Sequence, residues 1–135
     1  MATILIVEDD PSIRTLLSEV LQRWKYTVAT ATDGLHAMSI LRSIHVDLVI
    51  CDISMPRMDG YEFMLHIRES LPYRSSLPAI AVSGALTEPT TTQAFEHGFD
   101  AYLSKPIELH HLRSVISHLL RSATDNTVIP FRPAM

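Results

Sequence analysis

A chain of 135 residues is long enough for a single domain with a hydrophobic core. Hydrophobic residues make up 47% and charged residues 19%, which excludes an intrinsically disordered chain, and a net charge of -4 without a basic run argues against direct nucleic-acid binding. The single cysteine, Cys51, excludes a disulfide within the chain. Met1 leads directly into a short apolar run without a signal-peptide pattern, and no apolar stretch has the length of a membrane span. We therefore expect a native N-terminus, no membrane insertion and a cytoplasmic protein.

Five short apolar runs predict β-strands, and helical patterns separate them. The runs at 3–7, 47–51, 79–83 and 101–104 are apolar on both faces, which is typical of buried parallel strands. The run at 26–31 alternates more and carries threonines, which predicts a strand at a sheet edge.

A helical pattern follows each predicted strand. The first, over 11–24, begins with Pro11 and carries an apolar stripe of Ile13, Leu16, Leu17, Val20, Leu21 and Trp24. Asp33 is suited to cap a second helix, whose expected inward residues are Ala37, Ile40, Leu41 and Ile44. Asp59 is suited to cap a third, with Met64, Ile67 and Leu71 inward. The last, over 107–121, places four residues on one face: Leu109, Leu112, Ile116 and Leu119.

The predicted fourth helix, about 89–97, differs from the others. It has three consecutive threonines and few apolar residues, so its helix propensity is poor and we expect it to be the most mobile helix. The tail over 122–135 holds two prolines and no periodicity, which predicts a flexible end or a linker. The resulting βαβαβαβαβα order predicts an α/β fold with a parallel sheet and helices on both faces.

Polar residues follow four of the predicted strands. Ligands of open α/β sheets bind beyond the carboxyl ends of the strands, where the sequence places Glu8 and Asp9, then Asp52, Ser83 and Lys105. Three carboxylates in one pocket need a cation, and oxygen ligands without neighbouring histidine or cysteine favour Mg²⁺ over Zn²⁺. A carboxylate can also attack phosphorus to form an aspartyl phosphate, with the lysine and the hydroxyl stabilising the phosphoryl oxygens.

Four stretches carry a family resemblance: "ILIVEDDPSIRTLL", "DLVICDISMPRMDGYEF", "AIAVSGAL" and "DAYLSKPIEL". Together they resemble the receiver domain of bacterial two-component response regulators, in the manner of single-domain chemotaxis regulators. The resemblance covers about residues 3–121 and implies a receiver domain over 1–121 with a flavodoxin-like (βα)5 fold of strand order 2-1-3-4-5.

The resemblance also implies roles for individual residues. Asp52 matches the family's phosphoacceptor, Lys105 its lysine, Ser83 its hydroxyl switch residue and Tyr102 its aromatic switch residue. Asp9, Asp52 and the main-chain oxygen of Ser54 match the Mg²⁺ ligands, with Glu8 acting through water. The bond between Lys105 and Pro106 is commonly cis in this family, and the small trans preference of X–Pro bonds makes that plausible.

The implied function is that of a phosphorelay switch. A histidine kinase or histidine phosphotransfer protein would donate a phosphoryl group to Asp52, and a downstream protein would bind the surface of the fourth helix, fifth strand and fifth helix. One alternative is a Mg²⁺-dependent phosphatase, although such enzymes usually carry a second acid where Ser54 stands. Another is a non-phosphorylated pseudo-receiver, against which the complete set of acids, hydroxyl and lysine argues. The chain is either a stand-alone regulator or the receiver of a longer protein.

Overall fold

A parallel sheet of five strands forms the centre of the molecule, in the order β2-β1-β3-β4-β5. The computed structural model describes residues 2–53, 60–70, 76–84 and 96–124. The strands are β1 (Thr3–Val7), β2 (Thr27–Ala31), β3 (Leu48–Asp52), β4 (Ala79–Ser83) and β5 (Ala101–Ser104). The order confirms the flavodoxin-like topology, and β2 lies at a sheet edge as its alternating pattern predicts.

Four helices lie in the described part of the chain. They are α1 (Pro11–Arg23), α2 (Gly34–Ser43), α3 (Gly60–Ser70) and α4 (Leu109–Thr124). The last helix therefore begins two residues later and ends three residues later than the predicted 107–121. Residues 89–95 of the predicted fourth helix, the cap residue Asp59, Leu71 and the tail beyond Thr124 lie outside the described residues. None of the described helices has the length and apolar character that crossing a membrane requires.

Helices cover both faces of the sheet, because successive side chains of a strand point to opposite sides. On one side, α2 and α3 pack against Leu5, Val49 and Ala81 through Ala37, Met38, Leu41, Phe63, Met64 and Ile67. On the other side, α1 and α4 pack against Ile6, Ile50 and Val82 through Leu17, Leu21, Leu112, Val115 and Ile116. All five residues of β3 and all five of β4 are buried, as their continuous apolar runs predict.

Three residues predicted to face inward are exposed instead. Leu16 is 54% exposed because α1 centres its buried stripe on Leu17 and Leu21, which lie about 100° and about 140° from Leu16 around the helix. Ile44 is 43% exposed because α2 ends at Ser43 and Ile44 has an extended backbone. Leu109 is 39% exposed because it is the first residue of α4, and helical side chains point back past the start of their own turn.

The end of α1 adopts a left-handed conformation at a residue that is not glycine. Lys25 has φ 73°, its N–H donates to the carbonyl of Gln22 over 3.0 Å, and the N–H of Tyr26 donates to the carbonyl of Leu21 over 3.1 Å. These two bonds form a Schellman motif, which turns the chain from α1 into β2. A side chain at positive φ disfavours this conformation, so the motif is retained at an energetic cost.

Candidate functional site

The carboxyl edge of the sheet brings together four polar residues that lie far apart in sequence. Glu8 follows β1, Asp52 ends β3, Ser83 ends β4 and Lys105 follows β5. Glu8, Asp52 and Ser83 are only 3%, 5% and 2% exposed. Hydrogen bonds extend the strand pairing to this edge, from the Glu8 N–H to the carbonyl of Ala31 and from the Lys105 N–H to that of Ser83. The sheet itself therefore positions these groups.

Lys105 bridges the two buried carboxylates. Its Nζ donates to Oε1 of Glu8 over 2.9 Å and to Oδ2 of Asp52 over 3.3 Å. Buried charges are tolerated when they are paired and hydrogen-bonded, and this ammonium pairs with both acids at once. The Lys105–Pro106 peptide bond is cis.

The pKa values reflect this arrangement. Burial, followed by the hydrogen bond and negative charge of Asp52, raises the pKa of Glu8 to about 7, against the lowering effect of Lys105. Burial alone would lower the pKa of Lys105, but its contacts with Glu8 and Asp52 outweigh that effect and raise it. Part of the Glu8 population therefore carries a proton near neutral pH while the ammonium stays charged.

The three consecutive acids of the sequence have different positions. Carboxylate oxygens of Glu8, Asp9 and Asp52 all lie within 4.8 Å of one another, and Asp9 is exposed. Asp10 instead caps α1, where its Oδ1 accepts the N–H of Ser12 over 2.8 Å. Two of the three acids thus belong to the site and the third belongs to the helix.

The donor set fits a divalent cation. With all groups ionised, the three clustered carboxylates and the Lys105 ammonium leave two negative charges at this edge of the sheet. Carboxylate oxygens are hard ligands, which suit Mg²⁺. The main-chain oxygen expected from Ser54 lies outside the described residues.

Arg14 is a site residue that the sequence patterns do not reveal. From the first turn of α1, its Nη1 donates to the main-chain oxygen of Glu8 over 2.8 Å and, more weakly, to that of Asp9 over 3.5 Å. The N–H of Arg14 also bonds the carbonyl of Asp10 over 3.0 Å. The guanidinium binds main-chain oxygens, which every residue has, so the residue types give no signal of this contact. Only the position of Arg14, one turn into the helix after the acid pair, could have indicated it.

Gly60 lies close to the backbone at the end of β3. A Cβ at this position would lie 2.6 Å from Cα of Ile53 and 3.0 Å from the main-chain oxygen of Asp52. The start of α3 can therefore pack against the end of β3 only because residue 60 lacks a side chain. The Gly60 N–H also donates to the carbonyl of Ile53 over 3.3 Å.

The two predicted switch residues lie on neighbouring strands. Ser83 ends β4 at the site, and Tyr102 is buried in β5, in register with Ala81. Tyr102 belongs to the core on the side of α2 and α3. The structure thus places both residues along one strand pair, with Ser83 at the carboxyl end of β4 and Tyr102 within the core.

Comparison with known proteins identifies relatives of this chain. The family profile of the response regulator receiver domain matches residues 4–117. The sensor histidine kinase RcsC of Escherichia coli (strain K12) is 35% identical over 114 residues, which are 84% of this chain but 12% of RcsC. An uncharacterized 14.6 kDa protein of Leptolyngbya boryana is 37% identical over 123 residues, covering 90% of this chain and 93% of that protein. The crystal structure of the chemotaxis protein CheY4 of Vibrio cholerae superposes with a TM-score of 0.83 at 28% identity, covering 88% of this chain and 98% of CheY4.

Proposed function

The chain belongs to the response regulator receiver domain family, and on that premise we propose that it accepts a phosphoryl group on Asp52 in a two-component phosphorelay. The observation that supports this proposal most directly is the bridge from Lys105 to Asp52 and Glu8 at the carboxyl edge of the sheet. This bridge combines a nucleophilic carboxylate with an ammonium group that can stabilise the negative charge of the phosphoryl oxygens.

In the proposed reaction, a carboxylate oxygen of Asp52 attacks the phosphorus of a phosphohistidine on a partner histidine kinase or histidine phosphotransfer protein. The P–O bond forms as the P–N bond breaks, and the imidazole nitrogen keeps the electron pair and takes up a proton. The ammonium of Lys105 then pairs with a phosphoryl oxygen in place of the Asp52 carboxylate. Oε1 of Glu8 lies 2.9 Å from Nζ before the transfer, and we expect this hydrogen bond to keep the lysine oriented.

Glu8, Asp9 and Asp52, with the main-chain oxygen of Ser54, are the residues that would hold Mg²⁺. Bound there, the ion supplies positive charge that offsets the carboxylates and the incoming phosphoryl oxygens. We assign the direct contact among the acid pair to Asp9, whose carboxylate is exposed, and a water-linked role to Glu8, whose carboxylate is buried against Lys105.

The proposed output is a shift between two states of the domain. The hydroxyl of Ser83 moves toward the phosphoryl oxygens, and the ring of Tyr102 follows into the space that Ser83 leaves. The surface formed by the predicted fourth helix, by β5 and by α4, which is the predicted fifth helix, then changes its affinity for a downstream protein. We propose that residues 1–121 carry this switch and that the protein acts in the cytoplasm.

Labelling with a small phosphodonor tests the proposal. The wild-type protein incubated with acetyl phosphate and Mg²⁺ should gain phosphate that is stable to acid and labile to base, and chelation should stop the labelling. Asp52→Asn should abolish it, whereas Asp10→Asn, which removes a charge but keeps a helix cap, should not. Unlabelled wild-type protein would favour a pseudo-receiver, and steady release of phosphate from a phosphomonoester would favour a phosphatase.

A further inference from the structure

The outer face of α4 is basic in an otherwise acidic chain. The sequence of α4 holds two arginines and three histidines and no aspartate or glutamate, while the whole chain has a net charge of -4. A depression of about 490 Å³ lies along this face. We call its lining residues the basic face of α4: His110, Arg113, Ser114, Ser117, His118 and Arg121.

Neither arginine of the basic face forms an ion pair with an acidic side chain in the described ranges. Among the described residues, the acid nearest in sequence is Glu108, which accepts the N–H groups of His110 and His111 with its carboxylate oxygens, over 3.1 and 2.7 Å. It therefore caps the start of α4. Within the described ranges, no ion pair neutralises the positive charge of the two arginines.

The two arginines lie at a defined spacing along the axis of α4. The guanidinium carbon of Arg113 lies 5.3 Å from the centroid of the Trp24 ring, a cation–π contact that orients this side chain. Arg121 is exposed and lies eight residues further along the same helix, which corresponds to about 12 Å along the axis. An oriented cation and a second one anchored about 12 Å further along the helix axis can select a partner by the spacing of its carboxylates.

We infer that the basic face of α4 binds an acidic segment of the downstream protein, presenting two carboxylates about 12 Å apart. This inference rests on the proposed receiver function and names the chemistry of its output partner. An acidic protein segment fits better than a nucleic acid, because the face has only two permanent charges and no lysine, and the net negative charge of the chain repels a long polyanion.

A synthetic peptide tests the inference on the full chain. The probe is a fluorescent helical peptide with two glutamates about 12 Å apart, and its isomer carries the same glutamates side by side. Anisotropy titration at low salt gives both affinities. The variant Arg113→Gln/Arg121→Gln is compared with Arg23→Gln/Arg42→Gln, which removes two charges from exposed arginines of α1 and α2.

Binding of the spaced peptide should exceed that of its isomer and weaken about fivefold or more in Arg113→Gln/Arg121→Gln, with little change in Arg23→Gln/Arg42→Gln. Arg121→Gln alone, which leaves the Trp24 contact intact, should show part of the loss. Equal weakening in both double variants, equal binding of the two peptides, or tighter arginine-dependent binding of an oligonucleotide would overturn the inference. Asp52 labelling of each variant is measured in parallel, so a failure of the receiver function is seen separately.

Discussion

The guanidinium of Arg14 holds the main-chain oxygen of Glu8 at 2.8 Å and so ties the acid pair to the first turn of α1. A charged hydrogen bond to a main-chain oxygen contributes about 1.5–3 kcal/mol. Arg14 therefore acts as a positioning residue for the proposed metal ligands.

Replacing Arg14 should lower the binding free energy of Mg²⁺ more than it lowers the free energy of unfolding. We expect Arg14→Met to reduce the Mg²⁺ affinity about tenfold, because the turn carrying Glu8 and Asp9 loses its hydrogen bond. Arg14→Lys, which can still donate one bond, should recover part of the loss. Calorimetric titration with Mg²⁺ measures the affinity, and urea unfolding in chelator measures stability. Wild-type affinity in Arg14→Met would contradict the positioning role.

Glu8 should make the metal-free protein less stable as the pH rises. Its pKa is raised to about 7, so the folded state binds a proton that the unfolded state has released, and the free energy of unfolding falls between about pH 4.5 and 7. The pKa shift corresponds to a fall in the free energy of unfolding on the order of 3 kcal/mol across this pH range. In Glu8→Gln this dependence should be largely absent.

Urea unfolding in chelator at several pH values within that window measures the effect. Asp100 supplies a background of the same sign, because burial raises its pKa as well, and it is unchanged in Glu8→Gln. A slope against pH that is identical in the wild-type protein and Glu8→Gln would refute the assignment.

Gly60→Ala should disturb the backbone at Asp52 and Ile53. The added Cβ would lie 2.6 Å from Cα of Ile53, so the backbone next to Asp52 must shift. We expect a loss of about 1–3 kcal/mol in the free energy of unfolding and slower phosphorylation of Asp52 at saturating Mg²⁺. Gly84→Ala is the matched control for stability, since a Cβ there meets no atom of the described residues within 4 Å. Equal unfolding free energies for the two variants would be inconsistent with the close packing at Gly60.

Lys25→Gly should stabilise the protein. Glycine adopts φ 73° without the steric cost that a Cβ imposes there. This relief outweighs the conformational entropy that glycine adds to the unfolded chain, so the free energy of unfolding should rise by about 0.5–1 kcal/mol. Lys25→Ala keeps the steric cost and should bring no comparable gain. Urea unfolding of the three proteins decides the matter, and a Lys25→Gly protein less stable than the wild type would show the prediction to be wrong.

The strands and their order could be predicted because buried parallel strands are apolar on both faces, and the motifs at their ends specify one family. The pairing of Glu8 with Lys105, 97 residues apart, was accessible only through that topology. Helix periodicity, in contrast, does not reveal where a buried stripe is centred or where a helix ends, and Leu16, Ile44 and Leu109 are exposed for those reasons. Arg14 escaped prediction because contacts to main-chain oxygens leave no pattern in residue types.

The position of Trp24 makes the protein its own spectroscopic reporter. It is the only tryptophan of the chain, and it lies at the end of α1, about 20 Å along the helix axis from the turn that follows the acid pair. Its ring lies against Arg113 of α4. The fluorescence of Trp24 should therefore change when a partner binds α4. Metal binding at the far end of α1 should not quench it. A change in tryptophan fluorescence on phosphorylation would then show that phosphorylation of Asp52 alters the structure around Trp24 and α4.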